Sequence, residues 1–170
     1  MKKWLGNTLI ILSVLLLGFT YYPLILAFFP ATYQLPPGIS SYIEIPKINA
    51  ISPVIENVDP WSAAEYGQAL KKGVAQARNF PNFYFAHSSL PPWEMTRVNT
   101  PFLRLGELNE GDEIIISKNG VKEKYKVLSK KEFWPSETQI IYENPDILIL
   151  QTCTPVGTSI KRLLVFAGKT

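Results

Sequence analysis

A mostly β domain carried behind one membrane-crossing helix is the architecture this sequence predicts, and three observations predict it. From Trp4 to Phe29 there are 26 residues without a charge, more than the ~20 that take a helix across the hydrocarbon core of a bilayer. From Tyr42 onward the apolar residues come in short, strand-length runs separated by Pro, Gly, Asn and Ser, the pattern of a closed barrel or a sandwich. Asn119-Gly120 stands between two alternating runs, and both residues tolerate the positive φ of a tight hairpin turn.

The amino-terminal zone comes first. Lys2 and Lys3 precede the apolar run, and no further charge occurs before Glu44. A cleaved signal peptide has a shorter apolar region and a small-x-small cleavage site; Leu26-Ala27-Phe28-Phe29-Pro30-Ala31 matches that poorly. A soluble core helix would carry a polar stripe, which Leu9–Leu17 lacks. Residues 1–30 are therefore expected to be a cytoplasmic amino terminus and a transmembrane anchor. The two lysines on the near side and no basic residue after the span until Lys47 place the rest outside the cell. Pro23 is expected to end or kink the helix in its outer turn. Residues 31–41, with Pro36, Pro37 and Gly38, read as an extended linker.

The remaining domain, 42–170, is large enough to close one core. Strands are expected at Tyr42–Ile45, Val54–Asn57, Gly73–Gln76, Phe83–His87, Glu113–Lys118, Val121–Ser129, Ile147–Cys153 and Ile160–Ala167. Lys122, Lys124 and Lys126 alternate with Val121, Glu123, Tyr125 and Val127, so one face of that strand is wet. Ile147-Leu148-Ile149-Leu150 is a continuous apolar run, as in a strand buried on both faces. Short helices are expected at Trp61–Tyr66, opened by Asp59 and Pro60, at Phe102–Leu105, opened by Thr100 and Pro101, and at Glu137–Tyr142, opened by Ser136.

Composition excludes several functions. Without Lys2 and Lys3, the 17 basic residues become 15 against 14 acidic ones, which is no nucleic-acid footprint. One His and one Cys cannot make a metal site of the usual ligand spacing, so no metal and no cofactor is expected. No glycine loop suited to a phosphate is present. The single Cys153 cannot form an internal disulfide, which leaves buried filler, a reactive thiol or a bond to another chain.

Position favours the thiol. Cys153 ends its apolar run beside Gln151, Thr152 and Thr154, where the chain leaves the core and where a thiolate could find exposure and a positive neighbour. The sole histidine, His87, ends the run Phe83–Ala86 in the same manner. Beside a thiol it could pair with the thiolate or take its proton and return it to a leaving amine. If Lys161 faces water, Arg162 shares the covered face with Leu164 and Phe166, where a guanidinium needs an anion. Arg78, Arg97 and Arg104 have no such setting.

The run Leu150-Gln151-Thr152-Cys153, followed nine positions later by Arg162 at the head of the next strand, resembles the signature of the sortases, bacterial membrane-anchored cysteine transpeptidases. Ala86-His87-Ser88 resembles the family's histidine segment. Phe102-Leu103-Arg104-Leu105 with Gly111-Asp112-Glu113-Ile114, and Ile45-Pro46-Lys47-Ile48 with Pro53-Val54, resemble further family stretches. The resemblance covers Tyr42 to the carboxyl end. It implies an eight-stranded sortase-type β-barrel with His87, Cys153 and Arg162 as catalytic residues. Cys153 would attack an LPXTG-like sorting signal on a surface protein and form a thioester. Arg162 would steady the oxyanion or the peptide, and His87 would serve as acid and base. An amine acceptor, a cell-wall precursor or a pilin lysine, would release the product. Thr152, Thr154 and Trp93 are candidate substrate contacts, Trp93 as a wall of the cleft from the segment Leu90–Thr100, although simple packing is the commoner role for such a Trp. Ile149 departs from the signature, which has threonine there. Two other readings stay open: an anchored cysteine peptidase that uses water as acceptor, and a non-catalytic β domain that only binds peptides.

Overall fold

The computed structural model describes residues 2–28, 34–137 and 146–170. Helix α1 spans Lys2–Phe28 and continues through Pro23, which does not end it. Its segment Lys3–Tyr22 is long and apolar enough to cross a membrane, and none of that segment is buried against the rest of the chain.

Eight strands follow: β1 Tyr42–Ile45, β2 Ala50–Val58, β3 Val74–Ala77, β4 Phe83–Phe85, β5 Glu113–Lys118, β6 Val121–Phe133, β7 Leu148–Thr154 and β8 Lys161–Lys169. They close into a barrel in the order β1-β2-β3-β4-β7-β8-β6-β5, which settles the choice between barrel and sandwich. Two contacts in the ring, β2 with β3 and β4 with β7, are parallel; the others are antiparallel. Closure leaves no unpaired edge to template association with another chain.

Every expected strand is present, β1 and β5 with the expected ends and the other six with shifted ones. β2 starts at Ala50 because Pro53, which reads as a breaker, pairs opposite Tyr42. β6 continues to Phe133 past a register shift between Val127 and Ser129. At the β5–β6 turn, Asn119 (φ 51°) and Gly120 (φ 83°) have the expected positive angles.

The helices moved further. The helix expected at Trp61–Tyr66 is α2, Ala63–Lys72, and Ser62 caps it by accepting the Glu65 N–H at 3.4 Å. Asp59 instead accepts the N–H of Trp61 within the preceding turn (2.9 Å). Ser62-x-x-Glu65 is a capping-box sequence, a stronger start signal than Asp59-Pro60. The helix expected at Phe102–Leu105 is a run of turns leading into a 3-10 turn at Leu105–Glu107. The helix expected at Glu137–Tyr142 lies, from residue 138, outside the described residues.

Strand parity divides the apolar residues between two cores. Ile43, Tyr84, Leu148, Leu150, Leu163 and Val165 fill the barrel. Phe83, Phe85, Ile149, Leu164 and Phe166 point outward and are covered by Ala69 and Leu70 of α2. The apolar run Leu148–Leu150 is thus buried on both faces.

Candidate active site

The site lies on the outward face of β4, β7 and β8, at the end where β4 and β7 finish and β8 begins. Outward residues alternate, so Ile149, Gln151 and Cys153 share one face of β7. Arg162, Leu164 and Phe166 share that face on β8. Cys153 and Arg162 are direct cross-strand partners.

His87 reaches the same row from the other flank. β4 and β7 pair in parallel, Phe83 with Ile149 and Phe85 with Gln151. The ladder goes on past the end of β4: the Ala86 N–H donates to the Gln151 carbonyl at 3.1 Å, and the Thr152 hydroxyl donates to the Ala86 carbonyl at 2.9 Å. The same offset of 66 residues, carried one step further, sets His87 beside Cys153. Neighbouring strands are ~4.8 Å apart. His87, Cys153 and Arg162 therefore form one row across three strands, and all three line a cleft of about 770 Å³.

The surroundings hold each side chain. Arg162 is pinned by Nη1, which donates to the carbonyls of Ser159 (3.0 Å) and Lys161 (3.2 Å). Among the described residues, its Nε and Nη2 have no recorded partner, so they remain available to an anion. The Gly157 N–H donates to Ser89 Oγ at 2.8 Å, tying the β7–β8 loop to the histidine segment. Burial lowers the His87 pKa below its ordinary value, which favours neutral imidazole.

Tyr66 belongs to this site, and sequence reading did not single it out. It projects from α2, stacks on Phe85 with centroids 5.3 Å apart, and meets the His87 ring edge-on at 6.4 Å. Burial raises its phenol pKa; the Cys153 charge adds to the rise and Arg162 opposes it. Its sequence signal was the capping box four residues earlier, which puts a side chain of the first helical turn over the sheet.

The proposed substrate contacts fall in different places. Thr152 is only 4% exposed, with its hydroxyl committed to Ala86, so it ties the cysteine strand to the histidine segment. Thr154 donates to Glu132 Oε1 at 3.3 Å on the rim. Trp93 is 71% exposed and stands outside the cleft lining, which its loop reaches through Pro91, Pro92 and Met95. Of the arginines set aside, Arg78 pairs with Glu65 and Arg104 with Glu107. No cluster of three or more metal-ligating side chains occurs among the described residues.

A second cavity, about 470 Å³, continues the cleft along the outer sheet and shares Tyr66 and Arg162 with it. Its walls are mostly apolar, including Pro60, Phe80, Phe133 and Trp134, with Gln151 as a polar group at its floor.

Comparison with known proteins agrees with this fold. The profile of the sortase domain matches residues 43–170. Sortase D of Bacillus subtilis (strain 168) is 30% identical over 135 residues, covering 76% of this chain; the chain spans 63% of that relative's length. Sortase C-1 of Actinomyces oris superposes with a TM-score of 0.62 at 26% identity, covering 76% of this chain and 71% of that one. Sortase A of Corynebacterium diphtheriae, a lid mutant, superposes with a TM-score of 0.64 at 24% identity, covering 81% and 73%.

Proposed function

The chain belongs to the sortase family, and from that premise we propose that it is a membrane-anchored cysteine transpeptidase acting on surface proteins that carry an LPXTG-like sorting signal. The observation that carries this reading is the row His87–Cys153–Arg162 on one cleft. The apolar cavity beside it suits the leucine and proline side chains of such a signal, laid extended along β7.

In this mechanism Cys153 Sγ attacks the scissile carbonyl carbon while neutral His87 takes the thiol proton. Arg162 directs its unpartnered N–H groups at the developing oxyanion, where a charged donor in a partly dry site has most effect. Collapse breaks the C–N bond, and His87 returns the proton to the leaving amine. A thioester remains on Cys153. An amine, from a cell-wall precursor or a pilin lysine, then displaces the thiolate. Helix α1 would hold residues 42–170 outside the cell, with Lys2 and Lys3 in the cytoplasm.

The test uses a fluorogenic sorting peptide and mass spectrometry of the intact chain. The expected result is an adduct on Cys153 that hydroxylamine removes, with Cys153→Ala abolishing both adduct and cleavage. Cleavage that persists in Cys153→Ala refutes the assignment. Acid product alone, at every amine concentration, would instead make the protein a peptidase.

A further inference from the structure

Arg97 makes a contact that the candidate active site does not use. Its Nη2 donates to the carbonyl of Leu26 at 2.8 Å, across 71 positions of chain, and so joins the loop Leu90–Thr100 to the last turn of α1. A carbonyl in that turn lacks the usual helical donor, the N–H four residues ahead. For Leu26 that residue is Pro30, which has no N–H to give. The last turn of α1 also carries no basic residue, the charge that suits the carboxyl end of a helix. Arg97 supplies both the missing donor and the missing cation.

Helix geometry gives the depth of this contact. The segment Lys3–Tyr22 has 20 residues, which at ~1.5 Å per residue matches a hydrocarbon core of ~30 Å. Leu26 lies four residues further along, ~6 Å beyond the core, inside a headgroup layer of ~5–8 Å. Trp93 is four residues from Arg97, so their backbones are at most ~14 Å apart. The loop is folded on itself: Asn99 Nδ2 donates to the Glu94 carbonyl (2.8 Å), and Asn99 Oδ1 accepts the Thr96 N–H (2.7 Å). Trp93 is 71% exposed and stands outside the cleft. An indole, with an apolar body and one polar N–H, suits the boundary between headgroups and acyl chains.

We infer that the loop Leu90–Thr100 docks on the surface of the bilayer that α1 crosses, with Arg97 capping the helix at headgroup depth and Trp93 inserted beside it. This rests on the reading of α1 as the membrane span. An orphan carbonyl at the edge of the hydrocarbon is costly, so the bond from Arg97 is favoured where it forms. The linker alone does not hold the barrel there, since the chain from Phe28 to Tyr42 would reach ~45 Å if drawn out straight. Leu90, Pro91, Pro92 and Met95 of the same loop line the main cleft. Docking therefore fixes one wall of the cleft at the membrane surface, and sets the height of Cys153 above the bilayer.

The experiment puts the full chain into vesicles of phosphatidylcholine and phosphatidylglycerol. Trp4→Phe, Trp61→Phe and Trp134→Phe, all at exposed positions, leave Trp93 as the sole indole. Its emission should fall about twofold when the lipid carries bromine near the headgroup, as for an indole seated at the interface. Arg97→Ala should abolish that quenching while the chain still floats with the vesicles and the barrel keeps its circular dichroism. Trp93 emission indifferent to brominated lipid, in a chain that floats with the vesicles, overturns the docking alone. Quenching that survives Arg97→Ala overturns the role given to Arg97. A chain that does not float with the vesicles overturns the membrane reading of α1 itself.

Discussion

At the scale of residues, the candidate site depends on small groups that hold larger ones. Thr152 spends its hydroxyl on Ala86, one residue before His87. Thr152→Val keeps the shape and removes that bond, leaving a buried carbonyl short of a partner. A loss of about 1–3 kcal/mol is expected in urea unfolding, with kcat/KM falling further than the thermal stability because the imidazole loses its tether. His87 makes a separate prediction. Its pKa is lowered by burial, so as pH falls the unfolded chain binds the proton before the folded one does. Stability is therefore full above the ordinary value of 6.5 and declines as pH falls below it. Glu107, held down by Arg104, and Glu123, held down by Lys169 and Tyr125, add their losses only further into acid. The protein has one histidine, so one imidazole resonance in NMR should titrate with a midpoint below 6.5, and His87→Gln should flatten the stability slope just below that pH. The row of His87, Cys153 and Arg162 was readable as a candidate because His87 and Cys153 each end an apolar run and Arg162 opens one on the covered parity. Tyr66 was not: a ring laid over a sheet is a property of the assembled cleft.

At the scale of elements, strands were easier to read than helices for a physical reason. A strand announces itself through alternation and turn residues, both local, whereas the start of α2 was decided between two plausible caps three residues apart. Tertiary packing favoured Ser62, since α2 then lays Ala69 and Leu70 on the outer sheet. The far end of α2 is equally constrained. Gly73 closes the helix and leads straight into β3, and a Cβ there would stand 2.4 Å from the Pro53 carbonyl oxygen and 2.9 Å from Ser52 Oγ. Backbone cannot yield as a side-chain tip can. Gly73→Ala should cost about 2–3 kcal/mol, read as a lower urea midpoint, and should loosen Tyr66 by unseating α2.

At the scale of the whole molecule, the division into residues 1–30, 31–41 and 42–170 proposed from sequence becomes a prediction about partitioning. The full chain should stay with the membrane pellet through an alkaline carbonate wash, while a chain starting at Gln34 should appear in the supernatant with its barrel folded. Protease added to intact cells should remove the barrel if it lies outside; protection would reverse the proposed orientation. Strand patterning alone yielded the strands and left barrel or sandwich open, because the closing contacts β4 with β7 and β1 with β5 join segments distant in the chain; the ring was read from the resemblance to the sortases. One consequence follows from having Cys153 as the sole thiol at the end of β7. A slip of β7 by one residue would turn that sulfur into the barrel interior. Among folded molecules, reagent consumed per mole of protein therefore tells a correctly aligned sheet from a slipped one, giving any folded preparation of this protein an internal yardstick of its register.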